Sequence, residues 1–110
     1  MGHPKFEVKT GKDGQFYFNL TAKNGQTILS SEGYKSKQGC ENGIESVKKN
    51  SQMPDHFDKK ESKDGQFYFV LVAGNKEAIG KSEMYTSKAS MENGIASVKE
   101  NAPAAGVEYV

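Results

Sequence analysis

Lys-Asp-Gly-Gln-Phe-Tyr-Phe at residues 12–18 returns unchanged at residues 63–69. Around it, residues 12–50 align with residues 63–101 at a constant offset of 51 without a gap, and 24 of the 39 aligned positions are identical. Self-similarity at one fixed period indicates a supersecondary unit that occurs twice in the chain. The sequence therefore predicts a duplicated fold, and it leaves open what that fold does.

The two repeats are expected to form a single domain over residues 1–110, with the first repeat at 1–52 and the second at 53–110. The whole chain has the size of an ordinary domain. A unit of roughly 50 residues, in contrast, buries too little surface to be comfortably stable alone. We therefore predict a shared core, formed by interleaving of the repeats or by a pseudo-two-fold contact between them.

The clearest predicted strand covers residues 15–22. Phe16, Phe18 and Leu20 alternate there with Tyr17 and Asn19. Because successive side chains of a strand point to opposite faces, the phenylalanines share one face and the tyrosine lies on the other. Segments 6–8 and 26–30 are also predicted to be strands, separated from it by turn clusters rich in Gly, Asn and Asp. The second repeat carries the same pattern.

A helical period replaces the strand period in the second part of each repeat. Cys40, Ile44 and Val47 lie at i, i+4 and i+7, the spacing of one apolar helix face. A serine precedes each stripe as a candidate N-cap. One glycine, Gly43 or Gly94, lies on each stripe, although glycine costs a helix about 1 kcal/mol relative to alanine. We therefore expect close approach of the helix backbone to the sheet at these glycines.

Each repeat is thus β-β-β-α, and the predicted fold class is α+β. The two tandem repeats are expected to share one antiparallel sheet with both helices packed on one face. The alternating tail at residues 106–110 is a candidate for one more short strand.

The motifs of both repeats resemble a known family. Gly-Gln-Phe-Tyr-Phe, then Ser-Glu-x-Tyr-x-Ser-Lys, then Glu-Asn-Gly-Ile-x-Ser-Val-Lys is similar to the repeat of the YegP-like family of small bacterial proteins, over nearly the whole chain. The resemblance implies β(3)-α motifs, in tandem or as two subunits, assembled into a single sheet. It implies no activity, because that family is a domain of unknown function, and it supplies no catalytic residue.

Composition limits the partners that we expect. The formal net charge is +1, and all fifteen basic residues are lysines that alternate with acidic residues. Without arginine, bidentate contacts to phosphate are impossible, and a dedicated nucleic-acid binder usually shows a basic patch. No apolar run is long enough to span a bilayer, and no hydrophobic leader is visible. The single cysteine, Cys40, favours a cytoplasmic chain.

A cluster of polar residues lies where each third strand leads into the helix. This helix-start cluster comprises Ser31, Glu32, Tyr34 and Lys37 in the first repeat and Ser82, Glu83, Tyr85 and Lys88 in the second. Such hydroxyl and carboxyl groups are able to do acid–base chemistry, and a lysine at a helix N-terminus can help to hold an anion. No histidine or cysteine accompanies them in both repeats. The favoured interpretation is a network that satisfies backbone groups at the turn, and Asn42 and Asn93 on the helices are likewise expected to satisfy buried backbone.

The sheet face opposite the phenylalanines is the candidate interaction surface. It carries Tyr17 and Tyr68, with Asn19 and Val70 beside them, and two helices can cover only one face of the sheet. Aromatic side chains there can contact a partner protein or a second copy, can stack on bases of a single-stranded nucleic acid, or can stabilise the sheet through cross-strand pairs. Lysines gathered around the two tyrosines would favour nucleic acid.

No catalytic site, metal site or cofactor is predicted. His3 and His56 are the only histidines, neither recurs in the other repeat, and no set of His, Cys and Asp has metal-ligand spacing. Met1-Gly2-His3-Pro4 carries no weight, because it need not be native. The favoured function is a non-enzymatic domain for protein interaction or self-association. A weak single-stranded nucleic-acid binder is the alternative, and an enzyme using the Ser-Glu-x-Tyr segment ranks last.

Overall fold

The computed structural model describes residues 3–110, so Met1 and Gly2 lie outside the described residues. The strands are β1 Lys5–Thr10, β2 Phe16–Thr21, β3 Thr27–Ser30, β4 Phe57–Glu61, β5 Phe67–Val72, β6 Ala78–Lys81 and β7 Gly106–Tyr109. The α-helices are α1 Lys37–Asn50 and α2 Lys88–Asn101, and a 3₁₀ turn, Pro54–His56, leads from α1 to β4. The predicted β-β-β-α order is confirmed in both repeats, and the tail forms the extra strand.

The seven strands belong to one sheet, in the order β4-β5-β6-β3-β2-β1-β7. At its centre the third strands of the two repeats meet, and Ser30 pairs antiparallel with Lys81, the residue 51 positions further along the chain. A pseudo-two-fold axis therefore runs between β3 and β6. Each repeat closes the sheet edge that the other repeat would leave open.

The tail strand departs from the predicted antiparallel arrangement. The six strands of the repeats pair antiparallel, whereas β7 pairs parallel to β1, with Phe6 opposite Val107 and Val8 opposite Tyr109. The route of the chain explains this difference. The chain after α1 enters β4, which pairs with β5. By symmetry, the chain after α2 would form a strand that pairs with β2. Because β1 already occupies that place, the tail joins the sheet one position further out.

The helices join the repeats as well as covering one face of the sheet. α1 packs on β2 of its own repeat and on β5 and β6 of the other, while α2 packs on β5 and on β3. Ser36 and Ser87 are the N-caps, as predicted. The predicted apolar stripes are also confirmed, because all six of their residues are buried: Cys40, Ile44, Val47, Met91, Ile95 and Val98. Side chains from both repeats thus form one core.

The core is not symmetric at the axis. Leu29 of β3 is fully buried, and its equivalent in β6 is Gly80. A β-carbon added at Gly80 would lie only 2.7 Å from the Leu29 side chain. The single leucine therefore fills space that two equivalent side chains could not share.

Candidate functional site

The serine hydroxyls of the helix-start cluster are bound to backbone. Ser31 Oγ accepts the N–H of Phe18 at 2.9 Å and donates to the carbonyl of Glu32 at 2.8 Å. Ser82 makes the same two bonds, at 2.9 Å to the backbone of β5 and at 2.8 Å to the carbonyl of Glu83. Each serine thus fastens the end of a third strand to the neighbouring strand, and its hydroxyl hydrogen is already donated.

The tyrosines of the same cluster pack inward. Tyr34 stacks on Phe18 with ring centroids 6.0 Å apart at 15°, and Tyr85 stacks in the same way on β5 at 6.4 Å and 11°. Their hydroxyls end against the helix backbone at Gly43 and Gly94, where an added β-carbon would lie 2.7 Å and 2.6 Å from the ring carbon Cζ. Burial raises the pKa of both phenols. The glycines are thus sites of close contact, as predicted, but the approaching group is the tyrosine ring of the same repeat instead of the sheet itself.

The charged members of the helix-start cluster do not converge. All four are exposed: Glu32, Lys37, Glu83 and Lys88. Glu83 lines a shallow groove together with Met84, Tyr85 and residues 26–28, but the Tyr85 hydroxyl lies at Gly94 instead of in that groove. Within residues 3–110, the cluster therefore assembles no acid–base pair.

The open face of the sheet is the side opposite the helices, and its predicted residues are all found there. Tyr17 and Tyr68 are each half-buried, and so are Asn19 and Val70 beside them. The two tyrosines lie on β2 and β5, on either side of the pseudo-two-fold axis. The open face therefore presents two similar aromatic positions, one from each repeat.

Tyr17 lies between a lysine and a carboxylate. The register of β1 and β2 puts Lys9 directly opposite Tyr17, so both side chains project from the same face. The Tyr17 hydroxyl donates to the Asp13 carboxylate at 2.8 Å. This hydrogen bond raises the pKa of Tyr17 and lowers that of Asp13. The bond also fixes the tip of the tyrosine ring at the turn before β2.

Tyr68 has two lysines beside it. Lys60 lies directly opposite on β4, and the Lys81 ammonium lies 5.0 Å from the centroid of the Tyr68 ring, within the range of a cation–π contact. Lys60 also forms an ion pair with Asp58 at 3.2 Å. Positive and negative charges are thus interspersed around this tyrosine as well.

Two buried amides at the helix C-termini were missed in the sequence analysis. Asn50 Nδ2 donates to the carbonyl and hydroxyl oxygens of Ser46 at 2.8 Å and 3.1 Å, and its Oδ1 lies 2.7 Å from Nδ1 of His56. Asn101 makes the same bonds to Ser97 at 2.7 Å and 3.0 Å. Its Oδ1, however, is buried without a hydrogen-bond partner among the described residues. The recurrence of both asparagines at the repeat offset was the available signal.

The prediction for the other helix asparagines was wrong. Asn42 and Asn93 are exposed, and the Asn42 side chain accepts a bond from Gln38 at 3.1 Å instead of satisfying buried backbone. Each asparagine precedes the buried glycine of its stripe, so the helical rotation turns it away from the sheet.

The histidines are engaged separately. His3 Nδ1 lies 2.8 Å from the Thr21 hydroxyl, while His56 contacts Asn50 on the other side of the sheet centre. Residues 3–110 contain no group of three or more His, Cys, Asp or Glu side chains placed to hold a metal ion.

Comparison with known families identifies two matching segments. Residues 12–58 and 62–108 both match the family described as Domain of unknown function (DUF1508). Each match runs from the turn before β2 or β5 to the strand that follows the helix. The unit of the family is thus β-β-α-β, which begins one strand later than the β-β-β-α repeat.

Similar proteins cover nearly the whole chain. The chain is 50% identical over 103 residues to UPF0339 protein PA0329 of Pseudomonas aeruginosa, which covers 94% of each chain. The solution NMR structure of yegP from E. coli, a protein of unknown function, has a TM-score of 0.92 and 45% identity over 99% of this chain and 94% of its own. The NMR structure of a UPF0339 protein from Shewanella oneidensis has a TM-score of 0.90 and 42% identity, over 96% and 89%.

Proposed function

Since this chain belongs to the DUF1508 family of unknown function, we propose that it is a non-enzymatic binding module that uses the open face of its sheet to contact a partner protein. The observation that carries the proposal is the pair of half-buried tyrosines, Tyr17 and Tyr68, on a face that no helix covers. Tyrosine is enriched in protein interfaces because it combines a large apolar ring with a polar tip.

The charges around the tyrosines support a protein partner. Asp13 binds the Tyr17 hydroxyl, and Asp58 pairs with the lysine opposite Tyr68. A surface that alternates in sign selects a complementary surface of alternating sign, which is how charged groups give protein interfaces their specificity. A phosphate backbone, in contrast, is attracted by a field of one sign.

A single-stranded nucleic acid is the second candidate, and one observation favours it. Lysines do gather at the tyrosines, with Lys9 opposite Tyr17 and both Lys60 and Lys81 beside Tyr68. Stacking of a base on an exposed aromatic ring is worth about 1–3 kcal/mol. We rank this candidate second because the nearby carboxylates offset the lysines.

The helix-start cluster supports the non-enzymatic part of the proposal. A nucleophilic hydroxyl must be free to give its proton to a general base within hydrogen-bond reach. The Ser31 and Ser82 hydroxyls already bind backbone, and the phenols of Tyr34 and Tyr85 lie against helix glycines.

The test is photo-crosslinking from the two faces of the same chain in a bacterial lysate. A photoreactive amino acid replaces Asn19 on the open face, and the matched control carries it at Asn93, which is exposed on α2. We expect protein adducts from position 19 that are absent from position 93 and that disappear in the Tyr17→Ser/Tyr68→Ser variant. Circular dichroism checks that this double variant remains folded.

The outcomes separate the candidates. Adducts that vanish after nuclease digestion would establish the nucleic-acid alternative, as would saturable binding of a short oligouridine that weakens steeply with salt. Equal adducts from positions 19 and 93, or adducts that survive loss of both tyrosines, would contradict a role for the open face.

We propose that this module works in the cytoplasm. The single cysteine, Cys40, is buried and unpaired, which suits a reducing compartment. Neither helix within residues 3–110 is long and apolar enough to cross a membrane.

A further inference from the structure

The seventh strand lies outside the symmetric part of the fold. The six strands of the repeats end at β1 on one side and at β4 on the other, and only β1 carries a further strand. The two edges differ in sequence on the inward face, where Val8 and Thr10 of β1 correspond to Lys59 and Glu61 of β4. Val8 of β1 is 2% exposed, whereas its equivalent in β4, Lys59, is exposed and bound to Glu92 at 2.7 Å. An inward-pointing lysine protects a free edge from pairing, so β4 is built to remain an edge and β1 is built to accept a strand.

The strand that β1 accepts is weakly tied to its own repeat. His56 fastens the chain that leaves α1 by its contact with Asn50. The position equivalent to His56 is Val107, which has no polar side chain, and the Asn101 Oδ1 is left buried without a described partner. Among the described residues, the chain that leaves α2 therefore lacks the anchor that holds the chain leaving α1 to its helix.

The residue before Val107, Gly106, suits a hinge, and an exposed strand follows it. Gly106 begins β7, yet its φ is not positive and a β-carbon there would meet no atom within 4 Å. Neither packing nor backbone geometry requires glycine, and its backbone freedom suits a hinge. Beyond it, Val107, Tyr109 and Val110 remain 43%, 48% and 63% exposed. The strand thus contributes little burial to the core.

The contacts that hold β7 come from the first repeat. The Lys5 ammonium of β1 binds the Glu108 carboxylate. From α1, Glu41 accepts a bond from the Tyr109 hydroxyl, and the Lys37 ammonium lies 5.3 Å from the centroid of the Tyr109 ring. The Val110 N–H also donates to the carbonyl of Val8 at 2.9 Å. Together the β1 edge and the facing side of α1 form a docking groove for a strand with the pattern apolar–Glu–Tyr.

We propose that this groove is an intermolecular docking site, and that its partner is the C-terminal strand of a second copy of the chain. Two copies exchange their β7 strands about the Gly106 hinges, so each groove keeps the same contacts. In a dilute monomer the strand occupies the groove of its own chain, because a short linker holds it at an effective concentration on the order of millimolar. This site is on the sheet edge, and its contacts do not involve Tyr17 or Tyr68.

The experiment reverses one contact in two full-length variants. In Lys5→Glu and in Glu108→Lys, the chain's own strand meets a like charge, whereas a reciprocal exchange between the two variants restores an opposite-charge pair in both grooves. We expect each variant alone to remain a monomer of 12.0 kDa, and the equimolar mixture to yield a species of twice that mass by light scattering. The control is the single chain with both changes, which should return to a monomer because its own pair is restored with reversed signs.

A second measurement keeps the groove intact in case a charge variant does not fold. A nitroxide is attached at Val110→Cys, since the native cysteine is buried, and the labelled chain is mixed with ¹⁵N-labelled unmodified chain near 1 mM, the effective-concentration range of a short linker. Exchange predicts intermolecular broadening of the Phe6 and Val8 amides, with the amides of β4 as the unaffected control. A mixture that stays monomeric, or broadening that is equal at β1 and β4, would overturn the proposal.

Discussion

Gly43→Ala and Gly94→Ala are expected to lower stability, although alanine is the better helix former. On an unhindered helix the exchange would gain about 1 kcal/mol. The new methyl carbon at position 43 would lie 2.7 Å from Tyr34 Cζ and 3.2 Å from Phe18 Cε2. Because Tyr34 is stacked on Phe18, the ring cannot retreat toward the sheet. Overpacking costs about 1–3 kcal/mol, and we expect it to exceed the propensity gain by about 1 kcal/mol, or roughly 4–8 °C in Tm.

Thermal and urea denaturation followed by circular dichroism measure this effect. Asn93→Ala, at an exposed position beside Gly94, is the matched control and should raise stability by roughly a few tenths of a kcal/mol. Tyr85→Phe removes the hydroxyl that lies against Gly94, so Gly94→Ala should be less costly in that background, and a double-mutant cycle gives the coupling. If both alanine variants melt above the parent protein, the tyrosines do not close on the helices and the reasoning is refuted.

Three further predictions concern the buried asparagines, the axis of the sheet and the seventh strand. Asn50→Ala should cost about 1 kcal/mol more than Asn101→Ala, because among residues 3–110 the Asn50 amide is bonded at both ends and the Asn101 oxygen has no partner. Equal losses in urea denaturation would contradict this. Gly80→Leu should destabilise the protein by overpacking, and Leu29→Gly by leaving a cavity. The double variant should recover most of the loss, because one leucine again fills the space at the axis. Additive decreases in the denaturation midpoint would show that the two positions do not share this space. The hydrogen bond from Lys5 lowers the pKa of Glu108. The stabilisation that this bond gives to β7 is therefore complete above the ordinary glutamate pKa of about 4.3 and is lost as pH falls through the lowered pKa. The protection factors of the β7 amides, which are corrected for the intrinsic pH dependence of exchange, should therefore fall in acid, and an equal fall in Glu108→Gln would exclude this carboxylate as the cause.

The repeat itself made most of the fold predictable. Period-two alternation around Phe16 and Phe18 placed the tyrosines on the open face, and helical spacing from Cys40 placed the buried stripe. Both patterns report which side of an element is buried, and burial is the strongest constraint that a duplicated amphipathic unit carries. The glycines were recognised as close contacts for the same reason, since they lie on that stripe.

What the sequence could not supply depends on contacts between distant segments. The parallel direction of β7 follows from β1 already occupying the place beside β2, which no local pattern encodes. The partner of Gly43 is Tyr34, nine residues earlier, but its direction depends on the route of the loop between strand and helix. The role of Asn50 likewise depends on where His56 lies after the turn. Hydrophobic periodicity carries no information about such polar partners.

Some of the differences between the repeats have a structural reason, and these differences bear on which surface can select a partner. Positions with the same surroundings in both halves, such as the tyrosines that pack on the helix glycines, have kept the same residue. Leucine and glycine differ at 29 and 80, where the equivalents meet at the axis and cannot both be large. Valine and lysine differ at 8 and 59, where one edge is covered by a strand and the other is open. At these two pairs of positions, the residues differ because the repeats meet at the axis or because only one edge carries an added strand. A partner that binds the whole open face contacts two similar halves, whereas a partner of the β1 edge contacts a surface that has no equivalent in the second repeat.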